Sequence, residues 1–347
     1  MSKKTRGTVI AALLGVAFCA GSVLAGGKQA APGGPMTPAS QIMAPAGKTL
    51  LSLPVDQVSE KPIKIAAIMA QTNPFGQAVL AGQNFAKKIL ADRNCTVDCI
   101  SVEDFDAQKW TSIIDNCIAS GYNAICFVGI SDALQPVVDK GVDAGILMYV
   151  FNTDPGANSK RQAWYGQSGT EGGKQCGEAL AGLLDGSGKY AIITGFFNVL
   201  GHEERRLGAR SVLDTYQNLV LVGEFENKDK AEEAYNQAAN LLTVHPDLKG
   251  IYVTAGGPSG AAKAVEDAGL TGKVAVVAHD VLPETAPYVA SGTIKACLDQ
   301  DPFNQGYQPV VDAFNKLTAG KTPPVQTFYK GTMARPENVK QLFPELF

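Results

Sequence analysis

The chain has 347 residues, 45% of them hydrophobic and 18% charged, with a formal net charge of −3. That apolar content supplies core for one large domain or two modest ones, and it excludes disorder along most of the length. The slight acidity points away from a nucleic-acid partner.

Residues 1–25 carry Lys3, Lys4 and Arg6, then an apolar stretch from Val9 to Val23, then the small-residue site Val23-Leu24-Ala25. This is the pattern of a signal peptide cleaved after Ala25, which implies export. Two alternatives stand beside it. An uncleaved anchor is disfavoured by the Ala and Gly content and by the lack of a second span, and a lipoprotein site at Val16-Ala17-Phe18-Cys19 is spoiled by Phe18. Cleavage leaves 27 of the 30 Lys and Arg against 33 Asp and Glu, a net charge of −6. Residues 26–60 are rich in Gly, Pro and Ala with little periodicity and read as a flexible spacer.

From Lys61 apolar runs of strand length alternate with amphipathic stretches of helix length, the pattern of βα units and a mainly parallel sheet. The first runs are IKIAAIMA, CTVDCISV, NAICFVG and ILMYVF, with helices starting near Phe75, Gln108 and Ala133. A second series begins at QAWYGQ and continues through KYAIITG, LVLVGEF, GIYVTA, KVAVVAHD and TIKACLDQ. Its helices start near Thr170, His202, Lys230, Pro258 and Pro283. A restart midway predicts two similar α/β lobes, each a doubly wound parallel sheet.

An oxidising compartment permits disulfides. Cys95 and Cys99 flank the start of the second run and Cys117 lies near the end of the following helix, so a bridge from Cys117 to Cys95 or Cys99 is open. Cys126, Cys176 and Cys297 sit in apolar segments and read as buried thiols. The C-x3-C pair is not completed to four ligands, and Asp185-Gly186-Ser187-Gly188 lacks the alternating oxygens of a calcium loop, so neither metal nor cofactor is expected. GGPSGAAK lacks the spacing of a phosphate loop, and no G-x-S-x-G elbow accompanies His202, His279 and Asp280. An enzyme is not expected.

The first run ends in the polar-aromatic tip Asn73-Pro74-Phe75 at the mouth of a helix, the end of a parallel strand where ligands sit. Asn73 also suits a helix cap with Pro74 in the first turn. Asn152-Thr153-Asp154 closes the fourth run and Asp280 closes VAVVAH; an Asx turn and a helix cap are their structural alternatives.

The segments IAAIMAQTNPFGQAVLAG, IIDNCIASGYNAICFVGISDALQPVVDKGVDAGI, MYVFNTD, EERRLGAR, LLTVHPDLKGIYVTAGGPSGAAKAVEDAG, VAVVAHD and IKACLDQDPFNQGYQPV, in this order and spacing, resemble the periplasmic sugar-binding proteins of ABC importers. This is the ribose- and galactose-binding class, which shares its fold with the sensing half of LacI-type repressors. The resemblance covers Ile63 to about Thr327 and implies the type I fold with a three-stranded hinge. Crossings near Gln167, Gln300 and Phe328 then give one lobe of 61–166 plus 301–328 and another of 167–300 plus 329–347.

The same resemblance implies a periplasmic, monomeric protein that binds a small neutral carbohydrate or polyol and hands it to an importer permease. The alternative is a sensor subunit that presents a sugar-like or autoinducer-2-type signal to a chemoreceptor or kinase. Sugar hydroxyls need planar bidentate partners, and the ring's C–H face needs an aromatic. By correspondence with the family, the ligand contacts are Asn73, Phe75, Asn152 with Asp154 close behind, Arg205 in an R-x-x-G pattern with Gly208, Asp280, and Gln300 at the hinge. Arg206 takes the place of Arg205 if the correspondence slips by one. His202 and His279 stand near strand ends as further candidates, His279 equally as a structural histidine, and Phe196 and Phe197 offer an aromatic wall or core packing. Gly76 stands where the ribose pattern has a second aromatic, and Asn227 to Asp229 lack one, which predicts a roomier or differently gripped pocket.

Overall fold

A computed structural model describes residues 35–71, 73–156 and 158–347. The signal peptide expected over 1–25 and the spacer as far as residue 34 lie outside the described residues.

Two six-stranded sheets form the framework. The first holds β1 (Ile63–Ala70), β2 (Cys95–Val102), β3 (Ala124–Val128), β4 (Leu147–Phe151), β5 (Ala163–Gly166) and β11 (Gln326–Phe328). Their spatial order is β11-β5-β4-β3-β1-β2, parallel throughout. The second holds β6 (Ser187–Thr194), β7 (Asn218–Glu226), β8 (Leu248–Val253), β9 (Ala275–His279), β10 (Ile294–Asp299) and β12 (Thr332–Ala334). Its order is β12-β10-β9-β8-β6-β7, parallel except for the antiparallel β10–β12 pair.

Helices α1 (Pro74–Leu90), α2 (Ala107–Ala119), α3 (Gln135–Asp143) and α9 (Pro302–Ala319) belong to the first lobe. The second lobe has α4 (Gly169–Leu183), α5 (Leu200–Leu213), α6 (Ala231–Val244), α7 (Pro258–Asp267), α8 (Ala286–Ser291) and α10 (Val339–Leu342). The chain passes between the sheets three times, at 166–169, 299–302 and 328–332. Among the described residues no helix is long and apolar enough to cross a membrane.

Strands covered by helices on both faces bury nearly every side chain, which is why β1, β3 and β4 read as unbroken apolar runs rather than alternating ones. QAWYGQ is placed differently from its expected role at the head of the second series. β5 pairs with β4 and β11 of the first sheet, and an Arg161–Asp154 ion pair ties the β4–β5 loop back on itself.

Each lobe joins two helices through reciprocal glycines. A Cβ on Gly82 of α1 would stand 2.0 Å from the Phe303 carbonyl of α9, and one on Gly306 would stand 2.0 Å from the Val79 carbonyl. In the second lobe, Gly173 of α4 meets the Arg205 carbonyl at 2.1 Å and Gly208 of α5 meets that of Thr170 at 2.3 Å by the same construction. Only glycine permits helix backbones this close.

The second half of the expected flexible spacer is a strap on α9. Asn304 donates to the Thr49 carbonyl at 2.8 Å and accepts from Leu51 N at 3.2 Å. About three turns on, Asn315 repeats the pattern, donating to Leu53 O at 3.0 Å and accepting from Val55 N at 2.8 Å. Leu50 and Val55 pack on the core, and Lys48 reaches Glu345 of the C-terminal turn at 2.9 Å. Side-chain amides satisfy this backbone, so the segment needs neither helical nor strand periodicity, and its composition alone resembles a linker.

All six cysteines after residue 25 are free thiols, which corrects the expected bridge from Cys117. Successive residues of β2 point to opposite faces. Cys99 lies 3.6 Å from Asn84 on α1, whereas Cys117 lies beside Lys64 and Asp98 on the other side of the sheet. Cys126, Cys176 and Cys297 are buried in the cores.

Candidate functional site

Ligands of open parallel sheets gather beyond the carboxyl ends of the strands, where successive connections leave in opposite directions. Here those points lie between β1 and β3 and between β6 and β8. The two sets of strand tips line one cleft, which encloses about 420 Å³ when the space open to solvent is counted. The first lobe contributes Asn73 and Phe75 after β1, Phe105 after β2, Val128 and Ile130 at the end of β3, and Asn152 and Thr153 after β4. The second contributes Val199 before α5, His202 and Arg205 on α5, Asp229 after β7, Asp280 after β9 and Gln300 after β10.

On the hinge side the polar groups form one connected row. The Gln300 carbonyl accepts from Asn152 Nδ2 and from Arg205 Nη2, both at 2.9 Å, while its amide donates to Asp280 Oδ1 at 2.8 Å. Arg205 Nη1 also donates to the Thr254 carbonyl at 3.1 Å, and Asn152 reaches Gln305 at 3.0 Å. Asn152 and Asp280 have left-handed φ values of 64° and 69°, a conformation that Asn and Asp tolerate and that re-aims a side chain as its strand ends. Arg205 owes its position to the glycine pair that seats α5 on α4. Gly208, three residues along, is therefore structural rather than a ligand contact.

At the other end of the cleft, Phe105 meets His202 edge-on with ring centroids 6.2 Å apart, and Phe196 stacks on His202 at 6.3 Å. His202 Nδ1 accepts from Phe196 N at 3.2 Å, so the proton of the neutral ring sits on Nε2, 3.8 Å from Asp229. Burial holds the His202 pKa below the ordinary imidazole value although Asp229 pulls it up, so the ring is neutral at pH 7. Burial likewise pushes the Asp280 carboxyl above the usual carboxylate range, against the pull of Arg205 and the Gln300 hydrogen bond.

Residues 66–322 match the family model for the periplasmic binding protein domain. The chain belongs to the periplasmic binding protein family. The D-ribose/D-allose-binding protein of Pseudomonas aeruginosa is 30% identical over 277 residues, covering 77% of this chain and 85% of that one. The D-apiose import binding protein of Paraburkholderia graminis is 25% identical over 251 residues, 72% of this chain and 79% of its own. Among solved structures, the glucose-galactose binding protein GanP from Geobacillus stearothermophilus aligns with a TM-score of 0.72 at 26% identity, covering 80% of this chain and 99% of that chain.

Within this periplasmic binding protein, Asn73, Phe75, Asn152, His202, Arg205, Asp280 and Gln300 all line the cleft. Asn73 does so while its side chain caps α1, accepting from Gly76 N at 2.7 Å. Two expected contacts lie elsewhere. Asp154 is held by Arg161, whose Nε donates to it at 2.8 Å, and by Gly156 N at 3.2 Å. His279 is fully buried inside the second lobe, 2.8 Å from Tyr252 Oη and 3.4 Å from Cys176 Sγ, because it still follows the pleat of β9 when Asp280 turns out of it. Burial drives its pKa well below the imidazole value, so it is a neutral structural histidine.

Arg206 pairs with Glu203 and Glu224 and takes no part in the cleft, and Phe197 lies exposed beneath it. Gly76 does not enlarge the pocket, since a Cβ there would stand 1.9 Å from the Ala70 carbonyl. The aromatic expected by comparison with the ribose pattern has no room at that position, and Phe105 supplies the second ring from another strand. Phe105 and Asp229 were not among the sequence candidates. Phe105 stands in an acidic stretch that reads as the lead-in to α2, and Asp229 in an Asn-Lys-Asp turn with positive φ at its last two residues.

Beneath the cleft, Asp299 is buried at the hinge and accepts from Asp301 N at 2.9 Å. Burial raises its pKa from 3.8 to about 7, with smaller upward contributions from Asp280 and Asp301. Between those two values the folded protein keeps a proton that the unfolded chain has released. Stability is therefore fully present below the lower value, falls as pH rises through the window and levels off above it. Asp299→Asn is expected to raise Tm by roughly several degrees at pH 8 and by less than half of that at pH 5. Equal shifts at both pH values, read by scanning calorimetry, would refute the titration.

Proposed function

We propose that the protein captures a neutral monosaccharide or small polyol between its lobes in the periplasm and delivers it, as a monomer, to an ABC importer. The observation that carries this reading is the connected row Asn152–Gln300–Arg205–Asp280 at the hinge, beside the rings of Phe75 and Phe105. It presents planar donors and acceptors to vicinal hydroxyls and aromatic faces to ring C–H groups. Arg205 is matched by Asp280 and Asp229, so a phosphorylated or acidic sugar meets two carboxylates and is disfavoured.

Contacts come from both lobes, so ligand binds the closed arrangement better than the open one and shifts the hinge toward closure. That difference in lobe geometry is what a permease can read. The relatives named above are a ribose/allose binder, an apiose import binder and a glucose-galactose binder, and none of the three is named for signalling.

Titration calorimetry across neutral pentoses, hexoses and cyclitols, with a sugar phosphate and a uronic acid as controls, tests the proposal. At least one neutral sugar is expected to bind one-to-one while both anionic controls fail. Silence across every neutral sugar would remove the proposal.

A further inference from the structure

One wall of the cleft is apolar apart from the Thr153 hydroxyl, whose proton goes to Asn152 Oδ1 at 3.2 Å. It consists of Val128 and Ile130 at the tip of β3, Val199 before α5, and Met69 near the end of β1. All four side chains are apolar. Several backbone groups behind them are already hydrogen-bonded. Gly129 N donates to Thr153 O at 3.1 Å and Ile130 N to Val128 O at 3.0 Å, while Ile130 O accepts from Leu200 N across the lobes at 3.3 Å. Val199 O accepts from His202 N at 3.0 Å and from Glu203 N at 3.1 Å.

A ligand hydroxyl turned toward this wall gives up its water and finds at most the Thr153 oxygen, whereas a methyl group there gains by leaving water. The remaining walls can satisfy the rest of a sugar, with Asn73, Asn152, Arg205, Asp229, Asp280 and Gln300 arranged around the same space. We infer that the site selects a 6-deoxy sugar, a neutral monosaccharide whose exocyclic carbon is a methyl group packed against Val128, Ile130 and Val199. This rests on the sugar-binding reading above and narrows its substrate class.

The polar row sits at the hinge, where ring hydroxyls replace the bonds that Gln300 now makes, and the apolar wall spans both lobes. The methyl group therefore contributes to closure as well as to selectivity. An apolar pocket discriminates against an added hydroxyl by about ten- to a hundredfold.

The test is calorimetry on matched pairs of one configuration: L-fucose against L-galactose, L-rhamnose against L-mannose, and 6-deoxy-D-glucose against D-glucose. For at least one pair the deoxy sugar is expected to bind about ten- to a hundredfold tighter than its parent. Ile130→Asn and Val199→Asn are each expected to bring that ratio toward one by offering the parent's hydroxyl a partner; Val199 precedes the first residue of α5, a place that favours Asn, so the fold tolerates the second change. A parent hexose that binds as tightly as its deoxy counterpart overturns the inference and leaves the sugar-binding reading standing. So does a pentose that binds while every pair fails, or a preference that neither variant alters. If no neutral sugar of any kind binds, the reading beneath the inference fails with it.

Discussion

Arg205→Ala is expected to lower sugar affinity by about thirtyfold to several thousandfold. The guanidinium is buried, bonded to Gln300 and Thr254, and is the counter-charge for the buried Asp280. The two charges are bridged by Gln300, and truncating one partner of a buried charge pair costs about 2–5 kcal/mol, much of it from the charge left behind, which converts to that range of affinity. Lysine recovers little, because a single ammonium cannot reproduce the fork that spans a carbonyl and a side-chain amide. Calorimetry on the two variants checks this, and an affinity for Arg205→Ala within threefold of wild type would show that the row is not the binding element.

Asp280→Asn is expected to separate stability from binding. The raised pKa of Asp280 means that folding disfavours its charge, so its contribution to stability is greatest at low pH and is lost as pH rises through the folded value. Asparagine removes that loss, tolerates the left-handed φ of 69° and keeps an oxygen for the Gln300 amide. The ligand-free variant should therefore melt at or above the wild-type temperature at pH 7.5. Binding should fall about ten- to a hundredfold, because hydrogen bonds from sugar hydroxyls to a charged acceptor are lost. Wild-type affinity should also fall as pH is lowered through the raised pKa, whereas that of the variant should stay flat. A variant that melts several degrees lower and binds normally would reverse both halves of the argument.

The strands were legible because a sheet covered on both faces leaves no solvent side, so a short continuous apolar run such as IKIAAIM, bounded by turn residues, fits a fully buried strand. Strand tips were legible for the same reason, since polar residues that end such runs stand where the cleft must be. Which residue of a tip turns inward was not. His279 and Asp280 are adjacent, and only the positive φ of Asp280 decides that the acid faces the cleft and the imidazole the core.

Asp154 reads like Asn152 in sequence, and the difference is a partner, Arg161, seven residues along a loop. Gly76 looked like a missing aromatic, and it is a contact between the start of α1 and the end of β1. The strap over α9 was hidden because two asparagine side chains hold it, a device that leaves no periodic trace.

On this reading a neutral sugar sits between the lobes and holds them together. Small-angle scattering of the wild-type protein, with and without a saturating sugar chosen by calorimetry, tests it most directly. A smaller radius of gyration in the presence of sugar is the predicted result. Saturation in the calorimeter with no change in the scattering would contradict the claim, because the ligand would then occupy a site that does not depend on both lobes.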